Sequence, residues 1–310
     1  MKSLHILHSE SASGWGGQEI RVFQESELLL ERGHRVSIIC QPDSFLWNKC
    51  QTIDSSDFHC FPLRMKSPAN PFSFALVLSI LKKTKPDIVH THSSIDSWLV
   101  GSASKLLSLP VVRSRHISIP IKGIFPNNLL YSKIPRKIIT SGEAISEIVK
   151  SVSGVNKKNV KSVSAGVDFK KFDFNLDGKR IRDELGIKPG QLLVGKIGVI
   201  RGWKGYDYLL EAVPIILKKY PETKFVFVGR GPGFKQTQSI AKSLGLENDL
   251  TLLGHRDDIP EIMAGLDIQV LASITGEGTP QVIPQAFAMK TPLVATRVGS
   301  IATLLGNGER

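Results

Sequence analysis

Four groups of residues in this chain combine types and spacings that suit chemistry. Two cations, Arg201 and Lys204, share the run Arg201-Gly-Trp-Lys204-Gly205. A guanidinium can hold two oxygens while an ammonium acts as a compact charge, so the pair suits a pyrophosphate. A carboxylate, Glu277, stands among Gly276, Gly278 and Thr279, between an apolar run at 268–271 and an apolar-periodic segment. Gly14-Trp-Gly16-Gly17 follows a short strand-like run and opens a helix, the arrangement of a phosphate-type loop. Tight turns use glycine for backbone reasons alone, so this third signal is weak by itself. Finally, Pro86-Asp-Ile-Val-His-Thr-His92 reads as a strand, and period-two alternation puts His90 and His92 on one side of it, with His92 at the carboxyl end.

The elements that must position these residues alternate in type. Strands are expected at 2–8, 35–40, 86–92, near 138–141 and at 160–163, with helices at 18–31, 72–83 and 143–150. Residues 169–190 are polar and punctuated by Gly and Pro, with a short helix at 178–185, and mark a domain junction. Beyond it, strands are expected at 193–200, 225–229, 250–253, 268–271 and 293–296, with helices at 208–219 and on to 244. The pattern predicts an α/β protein of two Rossmann-like domains, 1–171 and 172–310. In such sheets ligands sit outside the carboxyl ends of parallel strands, and helix N-termini favour anions, so Glu277 is expected to face a ligand.

Composition narrows the partners. The 310 residues carry a net charge of +12, and residues 1–171 hold +10 of it. A basic surface suits nucleic acid, an anionic membrane face or an acidic substrate. No RRM, KH, zinc-finger or helix-turn-helix signature is present, so nucleic acid is not an expected partner. Within 111–137, Arg113, Arg115, Lys122, Lys133, Arg136 and Lys137 interleave with apolar residues and no acid. Such a segment fits either anionic lipid headgroups or a solvated loop over an acceptor cleft. The longest apolar stretch, 72–81, is broken by serines and about half the length of a membrane span, and 4–7 is too short for a signal peptide, which predicts a cytoplasmic protein. Cys40, Cys50 and Cys60 show no CxxC spacing; neither a disulfide framework nor a zinc site is expected, and their spacing reads as chance.

Glu277, seven intervening residues, Gln285-Ala286 and Pro292-Leu-Val-Ala-Thr together resemble a segment of family 4 of the retaining, two-Rossmann (GT-B) glycosyltransferases, which there carries two glutamates. Four more stretches resemble the same family: the run from Gly16 to Cys40, the Pro-Asp-x-x-His-x-His element, Ser164-Ala-Gly-Val-Asp168, and Arg201-x-x-Lys204-Gly205 before a leucine-rich helix. The resemblance implies two domains facing one another across a cleft, and transfer of a sugar, with retention, from a nucleotide-diphosphate-sugar to a glycan or lipid-linked acceptor in cell-surface polysaccharide or lipopolysaccharide synthesis. It assigns donor binding to Gly16, Gly17, Arg201, Lys204, Glu277, Gly278, Thr279 and Gln285, catalysis to Glu277 and His92, and a loop beside the base to His255 and Arg256. The departures are Gln285 for the second Glu, Ala165 for Asn, and Val199 where some members have Arg. Pro284 predicts a kinked or late-starting helix before Gln285. The chain also ends about 60 or more residues before such family members do, as a fragment would.

No cofactor is expected, the nucleotide-sugar being a substrate. No metal is expected either: the sequence has no Asp-x-Asp pair, and the strand-end histidines His8, His90, His92 and His116 lack an acidic partner on their strands. Two rival readings are an inactive nucleotide-binding fragment and a nucleotide-sugar epimerase on the same fold.

Overall fold

A computed structural model describes residues 2–121, 125–275 and 277–306; Lys122 of the basic segment, Gly276 of the carboxylate loop and the terminal Arg310 lie outside the described residues. The chain divides into two compact units, Met1–Ser164 and Ala165–Arg310. The division precedes the expected change at 171/172, because Val167 and Phe172 pack with Met263, Leu271 and Ile283 of the second unit.

The first unit is a seven-stranded sheet of β1 (His5–Glu10), β2 (Arg35–Cys40), β3 (Phe58–Pro62), β4 (Ile88–Thr91), β5 (Val111–Arg115), β6 (Lys137–Thr140) and β7 (Val160–Ser162), in the order β3-β2-β1-β4-β5-β6-β7. Every pairing is parallel. The central strands are covered on both faces, as a parallel sheet requires, while the edge strands β3 and β7 are partly exposed. Ile39 packs with Val77 of helix Pro71–Thr84 and Leu99 of helix Ser94–Leu106, while its neighbours Ile38 and Cys40 pack with Val22 of helix Gly17–Glu31 and Leu46 of helix Phe45–Cys50. Strand β3 and helices Phe45–Cys50 and Ser94–Leu106 have no counterpart in the sequence-based expectation. The last is rich in serine, and it is burial of Leu99, Val100 and Ala103 that holds it rather than propensity.

The three cysteines are free thiols that converge: Cys40 Sγ lies 3.6 Å from Cys60 Sγ, and Cys50 and Ser44 also hydrogen-bond the Cys40 thiol. One expectation, that for the basic segment, is corrected. In the basic segment, Arg113 and Arg115 point inward, each donating to the Tyr131 hydroxyl at 3.2 and 3.0 Å, so the exposed cations among the described residues are Lys133, Arg136 and Lys137.

The second unit has five parallel strands, β8 (Leu193–Ile197), β9 (Lys224–Val228), β10 (Leu250–Gly254), β11 (Ile268–Leu271) and β12 (Leu293–Ala295), ordered β10-β9-β8-β11-β12. One face packs Phe225 and Phe227 against Tyr206, Leu209 and Leu210 of helix Tyr206–Lys219; the other packs Val226 and Val228 against Ile181 and Ile262. Helix Val282–Ala288 starts late, with Gln281 as its N-cap, so Pro284 falls in the first turn, where an amide has no intrahelical partner to lose. In both sheets the strand order reverses once, between β1 and β4 and between β8 and β11, and crevices for ligands form at the carboxyl ends of such pairs.

Candidate functional site

At the β8/β11 reversal two loops are locked together. Gly205 has φ 68°, and a Cβ there would lie 1.8 Å from the Ala272 carbonyl oxygen, so only glycine lets the loop after β8 lie against the loop after β11. The Ile274 amide donates to the Trp203 carbonyl at 2.9 Å and adds a second tie. This approach brings Lys204 Nζ to 2.5 Å from Glu277 Oε1, and the Ser273 hydroxyl donates to the same oxygen at 2.6 Å. Glu277 is only 5% exposed, and a carboxylate so buried needs such donors. Lys204 has three donors, so the pair leaves it N–H groups to offer a ligand.

Arg201 is held differently. Its guanidinium lies 4.9 Å from the Trp203 ring centroid, beside a small depression formed with Gly202, Tyr206, Gly233 and Thr237. Its Nε is buried and finds no partner among the described residues. Gly278 is buried beside Glu277, Thr279 is half-buried, and Gln285 stands half-buried in the first half of helix Val282–Ala288. Of the expected base pocket, His255 lies 3.6 Å from Asp257. Arg256 is spent on ion pairs with Glu184 at 2.5 Å and Asp258 at 2.6 Å, which raise its pKa and hold Asp258 well below the carboxylate range. It ties helix Lys179–Glu184 to the loop after β10. One group escaped sequence reasoning altogether: Lys196, on β8, is buried near this loop pair. A charged residue within a buried strand was the available signal.

The β1/β4 reversal is built from other material. The imidazoles of His8, His92 and His116 stack, and the His90 ring is tilted against that of His92 with centroids 4.2 Å apart, on the side of the strand that alternation gives both. His92 Nε2 meets His8 Nδ1 at 3.0 Å and His92 Nδ1 meets His116 Nε2 at 3.3 Å, while His90 Nε2 bonds the Ser114 hydroxyl at 2.8 Å. Both ring nitrogens of His92 are thus engaged, and the side chain expected to face the ligand is inside an imidazole row. Burial, above all, pushes His8 down to about 4 and His116 to about 3, and holds His90 and His92 well below the usual value. The row is neutral at neutral pH.

The three rings of His8, His90 and His92 bring their nitrogens within 4.8 Å of one another. The strand sequences predict no acidic partner for these histidines; acids are in fact near, since β1 ends in Glu10 and Asp96 lies in the first turn of helix Ser94–Leu106. Neither carboxylate holds an imidazole ring, however. Asp96 accepts from the His92 amide and the Ser9 hydroxyl, both at 2.9 Å. Glu10 accepts from the Ala12 amide at 2.8 Å, from Ser93 and from Gln18. Burial pushes both carboxyls up. Glu10 thereby joins the end of β1, the loop after β4 and the first turn of helix Gly17–Glu31. The Gly16 amide is taken by Glu19 at 2.8 Å, and a Cβ on Gly17 would meet nothing within 4 Å, so the loop surface is open.

With this geometry in view, comparison with known proteins fixes the class. Residues 15–171 match the family described as Glycosyltransferase Family 4 and residues 177–310 match Glycosyl transferases group 1; the chain belongs to this glycosyltransferase family. An Escherichia coli UDP-Gal:alpha-D-GlcNAc-diphosphoundecaprenol alpha-1,3-galactosyltransferase is 26% identical, over 99% of this chain and 84% of its own length. N-acetyl-alpha-D-glucosaminyl L-malate synthase of Bacillus anthracis is 25% identical, over 95% of this chain and 79% of its own. Among solved structures, Anabaena HepE, crystallised with UDP-glucose, superposes with a TM-score of 0.82 at 20% identity, over 97% of this chain and 82% of that one. The fold is the two-sheet GT-B architecture. Among the described residues no helix is long and apolar enough to cross a membrane.

Proposed function

We propose that this protein transfers a glycosyl group from a nucleotide-diphosphate-sugar to a glycan or lipid-linked acceptor, with retention of anomeric configuration and without a metal ion, in the synthesis of cell-surface polysaccharide or lipopolysaccharide. The observation that carries this reading is the Lys204–Glu277–Ser273 group at the β8/β11 reversal, with Arg201 on the adjoining loop. As the bond to the anomeric carbon breaks, negative charge grows on the departing diphosphate, and Lys204 and Arg201 stabilise it electrostatically. Glu277 Oε1 receives Lys204 and Ser273, and the second carboxylate oxygen takes a sugar hydroxyl and orients the ring. Gln285 serves the ribose hydroxyls with an amide that both accepts and donates.

In this reading the second unit binds the donor and the first the acceptor, and the lack of side chains at Gly16 and Gly17 lets the donor diphosphate and the acceptor approach the loop. His92 acts by holding the loop after β4 in shape. Absence of an Asp-x-Asp pair supports neutralisation by side-chain cations. The lipid-linked substrate of the E. coli relative and the UDP-glucose bound by the Anabaena protein support the donor and acceptor classes. The exposed Lys133, Arg136 and Lys137 support contact with an anionic membrane face. The test is a thermal-shift screen against UDP, GDP, ADP and their sugars, followed by a transfer assay: a protein that no nucleoside diphosphate stabilises above its nucleoside does not have this function.

A further inference from the structure

Lys196 has no place in the function just described, yet it is a charged side chain buried inside the sheet of the second unit. It lies on β8 beside Phe227 of β9, is 2% exposed, and shares a sheet face with Val194, whose neighbours are Phe225 and Tyr206. An apolar residue would fill that space without burying a charge, and burying an ammonium is unfavourable unless it is paired. What meets the ammonium is an aromatic face: Nζ lies 4.7 Å from the Tyr206 ring centroid. Among the described residues it makes no ion pair. The Tyr206 hydroxyl in turn donates at 2.8 Å to the carbonyl of Gly198, where the loop carrying Arg201 and Lys204 leaves the strand. The ammonium is therefore held under the root of that loop, and the charges that act on it are Lys204 and Glu277.

We propose that Lys196 is a third, interior cation of the donor site, whose partner is the diphosphate received by Lys204 and Arg201, and which gains its proton when that anion arrives. The inference rests on the phosphate-binding reading of the β8/β11 loops. In the free protein, burial first and the Lys204 charge second push the Lys196 ammonium down to about 7, with Glu277 opposing. The groups facing it are thus one cation, one carboxylate already paired to that cation, and the Tyr206 ring. A diphosphate adds net negative charge to this set, and Lys196–NH2 then takes a proton from solvent to become Lys196–NH3+. The free site avoids holding a buried, unpaired ammonium beside the Lys204–Glu277 pair, and the positive charge appears with the anion it serves.

The experiment is calorimetric titration at pH 8 with whichever of UDP, GDP and ADP binds tightest, in Tris and in HEPES, whose different ionisation enthalpies report protons exchanged. A group titrating at about 7 is about one-tenth charged at pH 8, so the wild type is expected to take up close to one proton per diphosphate bound. Lys196→Met is expected to take up none and, at pH 7, to bind the diphosphate about tenfold or more weakly, with nucleoside affinity unchanged. Its melting temperature at pH 7 is expected to equal or exceed that of the wild type, because an unpaired buried charge is gone. A purely structural lysine would leave proton uptake unaltered by the substitution. Equal affinity and equal proton uptake in Lys196→Met, with binding still lost in Lys204→Ala, overturn this proposal and leave the phosphate reading standing. Equal binding of diphosphate and nucleoside by the wild type overturns both.

Discussion

At the β1/β4 reversal buried polar groups bond mainly one another: imidazole bonds imidazole, and Glu10 and Asp96 take amides and hydroxyls from adjoining loops, with His8 Nε2 and Asp96 Oδ1 left without a partner among the described residues. At the β8/β11 reversal an ion pair, Lys204 with Glu277, stands between two loops, with Arg201 stacked on Trp203 beside it. Burial penalises charge in both places, and the two sites answer differently. The first gives up charge, its histidines held in the neutral form. The second keeps charge by pairing it. A site of neutral groups bonded to one another holds backbone in place, whereas a site with cationic donors to spare binds an anion.

This contrast predicts where substitution hurts most. Glu277→Gln removes the carboxylate that orders Lys204 and, on the reading proposed above, the sugar; turnover should fall about a hundredfold to a thousandfold, the cost of losing one preorganised polar contact in a catalytic site. Gln285→Glu should change turnover by less than about tenfold, since a neutral amide can already serve ribose hydroxyls. Steady-state transfer kinetics of the two variants decide it, and a large gain in Gln285→Glu with no loss in Glu277→Gln would reverse the assigned roles.

The neutral site should instead show itself in acid. The folded pKa of His8 is about 4 against 6.5 for the unfolded chain, so the unfolded chain takes the proton first. The contribution of His8 is complete above pH 6.5 and is lost as pH falls towards 4, by about 3 kcal/mol in all. His90, His92 and His116 shift in the same direction and steepen the loss. Hydrogen exchange of the β1 and β4 amides at pH 7, 6 and 5 should show protection declining in that window. Unchanged protection would mean that the imidazoles are not held neutral by burial.

Both reversal points were partly legible from sequence, for different physical reasons. Glu277, Arg201 and Lys204 sit in short loops next to small residues, where a charged side chain has few other uses. Lys196 and Glu10 lie in strands whose local pattern says nothing of their partners. Strand β1, HILHSE, is polar at four of its six positions, yet all six residues are buried, because His5, His8 and Ser9 find partners in Ser37, His92 and Asp96. Partners 30 to 90 positions away cannot be read from a local window. Arg113 and Arg115 misled for the same reason: the phenol that holds them, Tyr131, lies beyond their own strand.

The charged site can also be dissected by ligand. Lys204→Ala and Arg201→Ala should each weaken nucleoside diphosphate binding by about 1.5–3 kcal/mol and leave nucleoside binding nearly unchanged, because each removes a charge-assisted contact to phosphate alone. Lys204→Ala has a second consequence that Arg201→Ala lacks: it strands the buried Glu277 with Ser273 as its remaining donor. Lys204→Ala should therefore also lower the melting temperature. Calorimetry with both ligands separates these effects, and equal losses for nucleoside and diphosphate would show that phosphate is not the target.

The smallest expected effect concerns the surface of the first unit. Lys133, Arg136 and Lys137 are exposed, and Ile117, Ile119 and Phe125 nearby in sequence are exposed apolar residues. A cation close to an anionic leaflet contributes about 1 kcal/mol, and the attraction decays over about 8–10 Å at physiological salt. Each single change to Gln should then weaken binding to phosphatidylserine-containing vesicles by about 1 kcal/mol or less. Arg113→Gln should act otherwise: its guanidinium is buried against Tyr131 and the Ser93 carbonyl, so losing it costs stability and removes no surface charge. Sedimentation with neutral and anionic vesicles at low and high salt distinguishes the two kinds of arginine. Binding that ignores both salt and lipid charge would show that the exposed cations serve something other than a membrane.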